Sequence, residues 1–410
     1  MTAQPAASYQ HSQGKSVATA RRAPRERAGP DAQVFVATLT LAAIGLVMVF
    51  SASFAKAAAF DYTRHDSTFF MKRQAVSLIL GMAAMLLAYR LPLRRLRNSS
   101  YTWLAVTVLL LMAVLVVGVE VHGARRWFDL KVLRFQPSEL AKLAVVLAAA
   151  RFFADRHGQM GTLRAILAPT AMAGAVALLI VLEHDLGTAV ALVFGLMAVF
   201  SLGGARLRDL AIVGAVGAGA AVLFILIEPY RLQRIISWLS PRNAALGGAY
   251  QMNHSQIALG SGGLFGCGLC ESRQKYFYLP AASTDCIFAI LGEELGFIGC
   301  IGVLALFAWL GYRGMTIAHH AADPFPALLA SGITAMLLVQ VALNVAVVTG
   351  AIPTTGVPLP LISYGGSGLV FTMMGIGLIM SVSRQRTPAP RAGATMRRRT
   401  ILDLPAQAGM

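Results

Sequence analysis

Asp285 is the residue in this chain best placed to do chemistry. It stands where a polar, glycine-rich and aromatic segment runs into a long apolar stretch that carries Glu293 and Glu294. Carboxylates at the edge of hydrocarbon are costly and mark functional sites. Two roles suit such an acid. It can take a proton from an attacking hydroxyl, or it can cap the following helix, where the dipole favours negative charge. Thr284 could cap equally well, and Arg273, Gln274, Lys275, Tyr276 and Tyr278 enrich the segment before it. Glu293 and Glu294 fall roughly two and a half turns deeper, a depth that suits pairing inside a helix bundle better than contact with a substrate.

Other constellations accompany it. Arg125, Arg126 and Trp127 are followed by Arg134, Gln136, Pro137, Ser138, Glu139 and Lys142. Pro137 fits a first helical turn, and Glu139 and Lys142 share a helix face where they can pair. That pair either fixes helix packing or walls a headgroup cavity whose arginines grip phosphate. Asp185, beside Glu183 and His184, suits a helix cap or a site wall. Tyr230, Arg231, Gln233, Arg234, Trp238 and Arg242 mix cations with aromatics, which fits a diphosphate-sugar lipid and an interfacial anchor belt equally well. Gly260, Gly262, Gly263, Gly266 and Gly268 allow close backbone approach, but no Gly-Lys-Ser/Thr follows to make a phosphate loop. Cys267 and Cys270 form a CxxC with no second pair or histidines near it in sequence to complete a zinc site. No residue is assigned to metal.

Apolar runs must position these groups. Of 410 residues, 57% are hydrophobic and 13% charged, where a soluble chain would carry about a quarter charged. The chain is therefore read as an all-α polytopic membrane protein with about ten transmembrane helices. They are expected at residues 34–60, 74–91, 101–121, 138–154, 163–182, 187–203, 209–228, 285–312, 325–349 and 366–384. Residues 1–32 and 386–410 read as disordered basic tails around a membrane domain at 33–385, and Arg397, Arg398 and Arg399 suit anionic headgroups. The formal net charge of +17 is spread over membrane-flanking loops and reflects lipid and a positive-inside bias, not nucleic acid. That bias places both termini in the cytoplasm. A large loop, 229–284, then lies outside with the segments around 125–138, 183–185 and 352–365. No internal repeat is evident, which weighs against a secondary transporter.

The motifs GARRW, RFQPSELAK, DLG, YRLQR, YQMNHSQIALGSGGLFG, SRQKYFYLP, STDCIFAILGEELGFIG and PTTGVPLPLISYGGSG occur in this order. Together they resemble the SEDS family (shape, elongation, division and sporulation: FtsW, RodA and SpoVE) over about residues 34–385. SRQKYFYLP is most similar to the division type. The resemblance implies a ten-helix SEDS fold in the bacterial cytoplasmic membrane, at the division septum. It further implies a peptidoglycan glycosyltransferase that polymerises lipid II beside a class B penicillin-binding protein and other divisome proteins. Asp285 matches the family's essential acid. Arg126, Trp127, Arg134, Gln136, Ser138, Glu139, Lys142, Asp185, Gln251, Ser255, Arg273 and Lys275 fall on motif positions and are expected to line the substrate.

On that footing Asp285 is the expected base in an inverting transfer, with Arg126, Arg134 and either Lys275 or a divalent cation (magnesium or manganese) neutralising the departing polyprenyl diphosphate. No organic cofactor is expected. The sequence departs from the family at Ala281, Ser283 and Cys286, where a glutamate, a histidine and a phenylalanine are usual, and at Glu183-His184, where Gln-Pro is usual. Two other functions fit a ten-helix protein. A lipid II flippase needs a polar path through the bundle, against which the sparse ionisable residues of the inner half count. A non-catalytic scaffold that activates its transpeptidase would leave Asp285 dispensable.

Overall fold

The structure, a computed structural model, describes residues 31–121, 123–129, 134–156, 163–239 and 248–384. The two expected tails apart from Asp31 and Ala32, and Pro241 and Arg242, lie outside these residues. The chain folds as helices α1 (Ala32–Ala59), α2 (Phe69–Arg90), α3 (Leu93–Val117), α4 (Pro137–Asp155), α5 (Leu163–Leu182) and α6 (Leu186–Leu202). These are followed by α7 (Leu207–Ile227), α8 (Pro229–Leu239), α9 (Gly248–Ser261), α10 (Ile287–His319), α11 (Pro324–Val348) and α12 (Gly366–Ser383). Three short strands, β1 (Val119–Val121), β2 (Ala124–Asp129) and β3 (Arg134–Phe135), form an antiparallel sheet ordered β1-β2-β3.

The helices other than α8 and α9 overlap the ten expected segments. Seven of them, α1, α2, α3, α7, α10, α11 and α12, are long and apolar enough to cross a membrane. Helices α5 and α6 are shorter apolar helices, and α4 carries Glu139, Lys142, Arg151 and Asp155. The mainly helical reading holds, with two additions. The arginine-rich segment before α4 is a small sheet, and much of the expected outer loop is helical as α8 and α9.

Helix α11 is the centre of the bundle, packed against α4, α6, α10 and α12, while α12 also lies along α2 and α10 along α1. Its buried Leu329, Ile333, Met336, Leu337 and Val341 supply the apolar core there. Among the described residues helix α7 leans mainly on α6 and α8, and its most apolar window has no buried residue. An apolar helix left open on nearly all sides fits lipid contact.

Helix α10 is broken at Gly296, whose φ of 68° and ψ of −170° leave the helical region. The segment after α9 lies in that break. Cys267 N donates to Glu293 O, Gly268 N to Glu294 O, Phe297 N to Gly263 O and Ile298 N to Leu264 O. A Cβ on Gly266 would stand 2.1 Å from Glu294 O, and one on Gly296 would stand 2.3 Å from Gly266 N. Glycine is required where backbones meet this closely and φ is positive.

Candidate active site

The turn that carries Asp285 is fixed before the side chain is considered. Asn344 Nδ2, from α11, donates to Asp285 O and to Val357 O, each at 2.8 Å. Ser363 Oγ donates to Thr284 O at 2.6 Å, and Tyr364 N to Ser283 O. The residue that caps α10 is Cys286, which makes no side-chain capping bond, so Asp285 does not serve the helix end. Its carboxyl instead looks toward the 354–357 stretch, where a Cβ on Gly356 would lie 3.6 Å from Oδ2.

Three charged groups from separate elements act on that carboxyl. Arg234 of α8 donates from Nη1 to Thr354 O at 2.9 Å. Arg126 of β2 donates from Nε to Glu183 O at 2.9 Å and from Nη2 to His184 O, so the sheet grips the α5–α6 turn by its backbone. Asp185 caps α6, accepting from Thr188 N at 3.1 Å and Thr188 Oγ1 at 2.8 Å, and it also accepts from Gln136 Nε2 at 3.0 Å. Desolvation pushes Asp285 up to about 6. Arg234 opposes the rise, Asp185 adds to it and Arg126 opposes it. A carboxyl tuned there is still ionised at neutral pH yet basic enough to accept a proton.

The remaining expected residues divide into three groups. Trp127 lies under Arg126, with 5.9 Å from the guanidinium to the ring. Gln251 Nε2 reaches Cys286 Sγ at 3.0 Å and Ser255 Oγ reaches it at 3.6 Å, so both border Asp285 through its neighbour. Glu139 and Lys142 form a buried ion pair at 2.8 Å. Glu139 also lines two openings, one with Gln340, Phe371 and Thr372 and one with Pro358 and Ser363, so packing and lining roles coincide. Ser138 is buried beside them, its Oγ without a partner among the described residues.

Arg134 and Arg273 are exposed. Arg134 faces Asp129 at 3.9 Å within the sheet, and Arg273 is held by its backbone N to Glu293 Oε1. Lys275 requires a correction. It is buried against Glu294, with Nζ 2.8 Å from Oε1, under Phe54. Glu293 accepts from Ser272 Oγ and Arg273 N. These charges tie the segment between α9 and α10 to α10 and are spent on one another, which leaves Lys275 no place at a substrate.

Two contributors, Arg234 and Asn344, were not among the residues expected to line the substrate. A polar Asn344 inside an apolar run was a usable signal. Among the described residues no three His, Cys, Asp or Glu side chains form a set that could hold a metal ion.

Residues 32–388 match a family model described as Cell cycle protein, covering FtsW, RodA and SpoVE. The chain is 40% identical over 362 residues to Stage V sporulation protein E of Bacillus subtilis, covering 88% of this chain and 98% of the relative. It is 39% identical over 349 residues to a Probable peptidoglycan glycosyltransferase FtsW of Escherichia coli, covering 84% of each. Among solved structures it resembles the Rod shape determining protein RodA of Thermus thermophilus, with a TM-score of 0.66 and 32% identity over 88% of this chain and 98% of that one. A chain from a structure on coordination of polymerization and crosslinking by a peptidoglycan synthase complex aligns with a TM-score of 0.71 and 31% identity, covering 88% and 99%.

Proposed function

Because this chain belongs to the FtsW/RodA/SpoVE (SEDS) family of cell cycle proteins, we propose that it is a peptidoglycan glycosyltransferase that polymerises lipid II, with Asp285 as general base. The observation that carries the reading is the convergence of Asp285, Asp185, Arg126 and Arg234 from four separate elements. In the transfer, an acceptor sugar hydroxyl attacks the anomeric carbon of the donor. Its proton passes to Asp285, the new β-glycosidic bond forms, and the bond to the α-linked polyprenyl diphosphate breaks. Arg126 and Arg234 stabilise the charge that develops on the leaving oxygens. A magnesium or manganese ion would have to be held by the diphosphate itself, since no set of side chains among the described residues could hold it.

The lipid tails stay between the helices and only headgroups reach the outer face. A class B penicillin-binding protein is the partner that cross-links the product, with other divisome proteins at the septum. Both termini face the cytoplasm. FtsW-named relatives at about 40% identity support the activity.

The test is glycan polymerisation from purified lipid II by the protein with its class B partner, whose transpeptidase is blocked. Wild type is expected to make polymer and Asp285→Ala none. Polymer from neither, with the complex intact, would favour the scaffold or the flippase. Polymer from both would keep the enzyme and remove Asp285 from its centre.

A further inference from the structure

Glu183 closes the α5–α6 turn and is fully buried, and neither of its carboxyl oxygens has a hydrogen-bond partner among the described residues. The two arginines on either side of the turn have other partners. Arg126 spends Nε and Nη2 on the backbone carbonyls of Glu183 and His184. Arg231 of α8 binds Glu228 at 3.3 Å and Val181 O at 3.3 Å. His184 also turns to Glu228, at 3.3 Å. Asp185, two residues on, adds a negative charge of its own. A buried carboxylate in such a place would be an anion without a donor, beside a second anion, and that is among the most costly arrangements a fold can hold.

We propose that Glu183 is held as a neutral carboxylic acid and acts as a positioning residue, keeping Arg126 on the two turn carbonyls and its charge available to the substrate diphosphate. The inference rests on the glycosyltransferase reading for its second half only. Were Glu183 ionised, the nearest cation would be Arg126, and pairing would draw that guanidinium off the carbonyls and away from the leaving group. The groups that face Glu183 are Asp185 at the start of α6 and Arg126 of β2. His184 and Arg231 both pair with Glu228. Burial, reinforced by Asp185 and opposed by Arg126, pushes Glu183 up to about 9. The acid is thus neutral through the physiological range and ionises only in alkali.

The test compares wild type with Glu183→Gln, which is neutral at every pH. Difference infrared spectra of the full chain are expected to show a protonated-carboxyl band at neutral pH in wild type. The band should be missing from the variant and should vanish from wild type as pH rises through about 9. In the lipid II assay with the class B partner, the variant should match wild type within about twofold at neutral pH. At about pH 9.5 it should outpace wild type by roughly threefold or more. An unchanged band, a variant that does not fold, or the same alkaline decline in both proteins would overturn the proposal. Wild type that makes no polymer at any pH while its band still titrates would overturn the glycosyltransferase reading and leave the neutral acid standing.

Discussion

Arg126 does two jobs with one planar group. Its Nε and Nη2 hold the α5–α6 turn, and its charge reaches both Asp285 and Glu183. A lysine supplies the charge but not the fork that spans two carbonyl oxygens. In the polymerisation assay Arg126→Ala is therefore expected to lose on the order of a hundredfold in rate, and Arg126→Lys to recover only part of it. Asp285 itself carries a stability cost with a definite sign. Its folded-state pKa is raised, so stability is greatest below the ordinary carboxylate range and is lost as pH rises through about 6. Above that pH the fold holds an ionised acid against desolvation. Asp285→Asn should accordingly be inactive yet melt no lower than wild type at neutral pH, and a lower melting temperature would contradict this. Asp285 was legible from sequence because an acid at a hydrocarbon edge is rare. Arg234 was not, because cations and aromatics in a loop fit a headgroup belt just as well.

Among the elements, the segment between α9 and α10 is held by charge as much as by packing. Lys275, Glu294 and Ser51 form one buried group, with Ser51 Oγ donating to Glu294 Oε1 at 2.5 Å, and Glu293 gathers the backbone of residues 273 and 274. Removing one partner of a buried pair leaves the other uncompensated, at a cost of about 3–5 kcal/mol, whereas removing both is far milder. Lys275→Met should thus lower the melting temperature markedly and Lys275→Met/Glu294→Gln should restore much of it, as thermal unfolding in detergent would read. A double variant as unstable as the single one would contradict the pairing. Lys275 looked like a substrate cation because its motif sits just before Asp285. Its burial was invisible in sequence, since it depends on the loop folding back onto α10. The break at Gly296 was hidden for the same reason, being set by the glycine backbone of residues 262–268 docking from outside the helix.

Across the whole molecule, the apolar runs were legible because hydrocarbon thickness sets their length, but α2 and α3 begin five and eight residues before their expected starts and α10 ends seven residues after its expected end. The small sheet before α4 was not legible, since its strands are two to six residues long and carry no clear alternation. Orientation has a direct test in Cys267, which is exposed in the loop between α9 and α10. In a Cys270→Ser background, a membrane-impermeant maleimide should label Cys267 in intact spheroplasts. Labelling only after permeabilisation would invert the topology. Burial and the nearby Glu293 and Glu294 hold this thiol above its ordinary range, so labelling should quicken with pH. Whether charges from four elements converge to make Asp285 the base is read from the pH dependence of lipid II polymerisation under single-turnover conditions. The rate is expected to climb about tenfold per pH unit at low pH and to level off above about 6. A rate independent of pH across that range would contradict that role for Asp285.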